Sequence, residues 1–73
     1  MIIRKRFNSI AEIQQLQKLA CDVPESVYLH NLEGDKMVDA KSFIGLFTLD
    51  FSQDVNIVTE SDEVGKMIQK KLG

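Results

Sequence analysis

Apolar and polar positions alternate along the chain with two distinct periods, and the changes of period mark its elements. Residues 2–7 open with Ile2 and Ile3 and end at Phe7, a run that predicts a first strand. Ile10, Ile13, Leu16 and Ala20 then recur at three- and four-residue steps with Glu12, Gln14, Gln15, Gln17 and Lys18 between them, the pattern of an amphipathic helix of about three turns. Ser9-Ile10-Ala11-Glu12 supplies its start as a capping box, in which serine accepts from a free amide and the glutamate reaches back. The helix ends over Asp22 to Glu25, because Pro24 lacks an amide hydrogen and biases Val23 away from helical angles.

The period then falls to two. Val27 and Leu29 alternate with Tyr28 and His30, Glu33-Gly34-Asp35 turns the chain, and Lys36-Met37-Val38 resumes it, predicting a hairpin with a loop longer than two residues. Ser42-Phe43-Ile44-Gly45-Leu46-Phe47 is too densely apolar for a one-sided strand and predicts a short helix capped by Ser42. Val55 and Ile57 mark a fourth strand. Ser61 or Asp62 begins a last helix with Val64, Met67, Ile68 and Leu72 on one face. Its acids (Asp62, Glu63) come first and Lys66, Lys70 and Lys71 later, as the helix dipole favours, and Gly73 closes it. The order β-α-β-β-α-β-α predicts a single α+β domain over residues 1–73. Its four-stranded antiparallel sheet would carry helices on one face and leave the other to water.

Composition narrows the function classes. Seventy-three residues, 44% of them hydrophobic, support one small core and leave no room for a deep substrate cavity, which argues against an enzyme. The single Cys21 can form neither an internal disulfide nor a tetrahedral zinc site, and it suits a reducing compartment. Neither a signal peptide nor a membrane span is visible, and a net charge of −2 argues against a nucleic-acid partner. A soluble, cytoplasmic protein without metal or cofactor is the expectation.

The individual reactive residues add little. His30 is the only histidine, and alternation sets it opposite Val27 and Leu29 with no second histidine or triad partner in the pattern. Cys21 sits near a helix C-terminus, where the dipole disfavours a thiolate, and reads as a small, partly buried hydrophobe. Arg4-Lys5-Arg6 splits between two strand faces and reads as a solvated, charge-protected strand. The short helix is more informative. At about 100° per residue, Phe43, Ile44, Leu46 and Phe47 cover well over half its circumference, so not all can face the sheet: either apolar surface stays outside, as exposed patches at interaction sites do, or the last helix or a loop covers it.

Around that helix, Lys36-Met37-Val38-Asp39-Ala40-Lys41-Ser42-Phe43-Ile44-Gly45-Leu46-Phe47-Thr48-Leu49 resembles the third strand and second helix of the HPr family, the histidine-containing phosphocarriers of the bacterial sugar phosphotransferase system. The family signature is a Lys-Ser-Ile-Met-Gly-(Leu/Val)-Met-Ser-Leu run. Lys41, Ser42, Gly45, Leu46 and Leu49 match it, with hydrophobic replacements at Phe43, Ile44 and Phe47. The resemblance implies an open-faced β-sandwich. It also implies a departure: where the family carries its phosphoacceptor in Gly-Ile-His-Ala-Arg-Pro-Ala, this chain has Phe7-Asn8-Ser9-Ile10-Ala11-Glu12-Ile13. Ser9 stands in the histidine's place and Ala11 in the arginine's. A serine ester is too stable for reversible relay, and Glu12 repels an anion, so phosphoryl relay is not expected.

Ser42 matches the serine that, in HPr proteins of Gram-positive type, a dedicated ATP-dependent kinase phosphorylates. The resemblance implies that Phe43, Ile44 and Phe47 form a docking surface for that kinase, for enzyme I and for a transcription regulator. Two rival readings stand beside it: a phosphocarrier using His30 or Ser9 as acceptor, and a weak homodimer formed through the short helix.

Overall fold

The computed structural model describes residues 1–72. The expected closure of the last helix by Gly73 lies outside the described residues. The elements follow the predicted order: β1 (Ile2–Lys5), α1 (Ile10–Cys21), β2 (Tyr28–Asn31), β3 (Met37–Asp39), α2 (Phe43–Leu46), β4 (Val55–Val58) and α3 (Asp62–Leu72). The strands form one antiparallel sheet in the order β1-β4-β2-β3. The architecture is α+β, an open sheet with three helices.

Strand alternation decides what the sheet buries. Ile57 lies opposite both Ile3 and Leu29, and Leu29 lies opposite Val38, so these four side chains share the face toward the helices. Leu16, Ala20, Val27, Leu29, Ala40, Leu46, Val55, Ile57, Val64 and Ile68 are buried together there. Phe7 lies just past the end of β1 rather than within it. It is buried, and its ring meets Phe51 edge-on at 5.6 Å. No helix among the described residues is long and apolar enough to cross a membrane.

Side-chain caps set the helix starts. Ser9 Oγ accepts from the Glu12 amide at 3.3 Å, while the Glu12 carboxylate accepts from the Asn8 amide at 2.9 Å. The box therefore closes one residue earlier than the usual reciprocal pair. Ser61 is the cap of α3: its Oγ accepts from the Val64 amide and its carbonyl from the Gly65 amide. In the β2–β3 turn, Gly34 takes φ +78°, a conformation that costs a side-chain-bearing residue about 1–2 kcal/mol.

Two packing details differ from the sequence pattern. Ile10 is 58% exposed, and Leu19 is buried in its stead. On a helical wheel Leu19 lies about 60° from Leu16 but Ile10 about 120° from it, so Ile10 falls outside the stripe that meets the sheet. Met67 is likewise partly exposed on α3, beside the buried Val64 and Ile68.

Candidate partner-binding site

The site is built on α2 and its flanks. Ser42 has extended backbone angles and its Oγ accepts from the Gly45 amide at 3.2 Å, so it is the helix cap. Gly45 lets that cap close: a Cβ there would stand 3.2 Å from Ser42 Oγ and 3.8 Å from Val38 Cβ. Thr48 Oγ1 donates to the Gly45 carbonyl at 2.7 Å and secures the far end.

Four residues make one turn, and the turn has one inward side. Leu46 takes it and is buried against the core, followed by Leu49 in the next loop. The remaining apolar side chains point elsewhere. Ile44 is 84% exposed, Phe47 is 49% exposed, and Phe43 is half-buried. The Phe43 and Phe47 rings meet edge-on, with centroids 4.9 Å apart, so the exposed patch is an aromatic pair beside an aliphatic knob. Ser42, itself exposed, borders it.

The sequence pattern gave no signal for the clasp that positions this helix. Gln17 Nε2 donates to the Lys41 carbonyl at 3.3 Å and to Cys21 Sγ at 3.2 Å, and Cys21 Sγ donates to the same carbonyl at 3.7 Å. The last turn of α1 thus holds the residue just before the Ser42 cap. Cys21 is exposed, not partly buried as its helical position suggested: it follows the buried pair Leu19 and Ala20 and turns to the surface toward Lys41.

Ser9 lies at the start of α1 with its oxygen committed to capping. Around it, the Glu12 carboxylate engages the Asn8 amide and an ion pair with Lys5 at 3.3 Å. The Asn8 hydrogen bond is the main cause holding the Glu12 carboxyl below its usual range, with Lys5 adding to it. Beside Ser9, then, the nearby cation Lys5 is taken up by Glu12, and Ala11 offers only a methyl group. His30 is half-buried on the opposite side of the sheet, with Asn56 and Met37 as its cross-strand neighbours. The structure does not bring Ser9, His30 and Ser42 into one site.

The basic triplet divides between faces as alternation requires, but its members are partnered rather than simply solvated. Arg4 Nε and Arg6 Nε bond the two oxygens of Asp54 at 2.9 and 3.0 Å. The two guanidiniums, Arg4 first, hold the Asp54 carboxyl below the ordinary aspartate range. Lys5 turns to the helix side, where Nζ donates to the Leu72 carbonyl at 2.8 Å and stands 5.6 Å from the Phe7 ring centroid. These links span 48 to 67 residues of chain and leave no trace in local spacing.

No family model matches the chain, and neither a curated protein nor a solved structure matches it.

Proposed function

We propose that this chain is an HPr-like protein of the cytoplasm that acts by binding other proteins rather than by catalysis or phosphoryl relay. Its docking surface is Phe43, Ile44 and Phe47, and Ser42 is its regulatory phosphorylation site. The observation that carries the reading is the exposure of Ile44 and Phe47 beside an exposed Ser42, on a helix whose fourth apolar residue, Leu46, already satisfies the core. A side chain exposed to that degree does little for the fold, and an aromatic pair bordering an aliphatic residue is the composition found at interface centres.

A phosphate on Ser42 adds about −1.5 to −2 charges beside this patch. It desolvates poorly against an apolar partner and pairs well with an arginine-bearing one, so modification would change which partner docks. By the resemblance, those partners are enzyme I, the HPr kinase and a carbon-regulation transcription factor. Loss of relay is supported by the environment of Ser9, where the serine oxygen is engaged in capping, Lys5 is already paired with Glu12, and Ala11 supplies no charge for a phosphoryl group.

The test uses two labelling reactions. With HPr kinase and radiolabelled ATP, the wild-type chain should take up an acid-stable label that Ser42→Ala abolishes; no label would remove the regulatory claim. With enzyme I and labelled phosphoenolpyruvate, the chain should stay unlabelled. An acid-labile label would restore the phosphocarrier reading, and His30→Ala would then locate the acceptor.

A further inference from the structure

The face of the sheet turned away from the helices is not the polar surface that a water-facing sheet predicts. Cross-strand pairing lays its residues out in two rows. Ile2, Val58, Tyr28 and Asp39 form one, and Arg4, Asn56, His30 and Met37 form the next. The first row runs apolar across three strands, and Met37 adjoins Tyr28 diagonally. Ile2 is 68% exposed and Met37 59% exposed, with no element laid over them. A groove of about 590 Å³ lies along this face, its floor formed by Tyr28, His30, Met37 and Val58.

One end of the groove is acidic. Antiparallel pairing brings the start of β2 and the ends of β3 and β4 to the same end of the sheet. Glu25, just before β2, and Glu60, just after β4, line the groove, and Asp39 ends the strand beside Tyr28. All three are exposed, and none forms an ion pair among the described residues. The arginines of the sheet lie at its other end, where Arg4 and Arg6 hold Asp54, and the Met1 ammonium, beside the acidic end, donates to the Thr59 carbonyl.

We propose that this groove binds a short segment of a partner protein in which a lysine or arginine stands next to aliphatic or aromatic side chains. The cation lies over the Tyr28 ring between Glu25 and Glu60, and the neighbouring apolar side chain packs on Val58 and Met37. Charge chooses this occupant: Glu25 and Glu60, which line the groove and form no ion pair among the described residues, attract a cation, and a tyrosine face adds cation–π attraction. Methionine, being flexible and polarisable, adapts to different apolar neighbours. A second copy of this chain fits less well. It brings a net charge of −2 to an acidic rim. Four strands of three or four residues, about 4.8 Å apart with a rise of about 3.3 Å per residue, also make a face far smaller than the about 800 Å² per partner of a standard interface.

The probe is a phage-displayed library of random linear heptapeptides, panned in parallel on the wild-type chain and on a Glu25→Gln/Glu60→Gln double variant. Both glutamates are exposed and make no ion pair, so the variant should keep the wild-type circular dichroism and melting curve. The wild type should enrich sequences with Lys or Arg beside aliphatic or aromatic residues, and the double variant should not. A synthetic copy of the leading peptide should shift the amide signals of Tyr28, His30, Met37 and Val58. Its affinity should fall at least fivefold in the double variant, and also when salt is raised. Failure to enrich above the variant, enrichment of sequences without a basic residue, or shifts centred on residues 42–49 would each overturn the proposal. So would a concentration-dependent dimer whose formation alone shifts the same four amides.

Discussion

Ile44 and Leu46 stand two residues apart on a single helical turn, and replacing them should have opposite consequences. Leu46 is buried in the core cluster. Leucine-to-alanine changes at such sites cost about 2.7–5.0 kcal/mol, through lost transfer energy and the cavity left behind. A chain of this length has a total stability of about 4–11 kcal/mol, so Leu46→Ala should remove a large fraction of it. Ile44, at 84% exposure, keeps only about a sixth of the ~1.5–3 kcal/mol that full burial of an isoleucine supplies, so Ile44→Ser should cost about 0.3–0.5 kcal/mol. Urea unfolding followed by far-UV circular dichroism separates the two. With an m value near ~1 kcal/mol per molar, as for small domains, Leu46→Ala should move the midpoint by about 3–5 M and Ile44→Ser by no more than about 0.5 M. A midpoint shift for Ile44→Ser comparable to that for Leu46→Ala would mean that Ile44 holds the fold together. The argument that it is kept for a partner would then fail.

Three further outcomes follow from other parts of the molecule. The Asp54 carboxyl is depressed by Arg4 and Arg6, so its contribution to stability is full above the unfolded-state aspartate value of about 3.9 and disappears as pH falls through the lower folded value. Asp54→Asn should therefore flatten the acid limb of a stability–pH profile, and a limb as steep as that of the wild type would count against the clamp. Gly34→Ala should destabilise by about 1–2 kcal/mol because of the positive φ, visible as a lowered melting temperature, even though nothing stands near the added methyl group. Cys21 should react fully with a thiol reagent under native conditions; reaction only after adding denaturant would show it buried.

The order of elements was legible because each change of period coincides with a local stop or start: Pro24 after the first helix, Glu33-Gly34-Asp35 in the hairpin, Ser42 and Ser61 at helix caps. The overcrowding of the short helix was legible too, since one turn cannot bury Phe43, Ile44, Leu46 and Phe47 together. What local pattern does not contain is pairing across the chain. Asp54 lies 48 and 50 residues from the arginines it joins, and only the tertiary fold brings Gln17 and Cys21 to the Lys41 carbonyl. The exchange of Ile10 for Leu19 depended on which arc of α1 meets the sheet, which four well-spaced apolar residues leave open. The apolar row Ile2–Val58–Tyr28 was hidden for a related reason. Each residue reads singly as an outward position, and strand order alone makes them neighbours.

The proposed function stands on α2 being the surface on which enzyme I docks. An amide-resolved NMR titration of the isotopically labelled protein with unlabelled enzyme I tests it most directly. Signals of Ser42, Ile44, Phe47 and their immediate neighbours should shift or broaden first, and an Ile44→Ser/Phe47→Ser variant that remains folded should show no such change. A spectrum unchanged at saturating enzyme I, or changes centred on β1 and α3, would contradict the account.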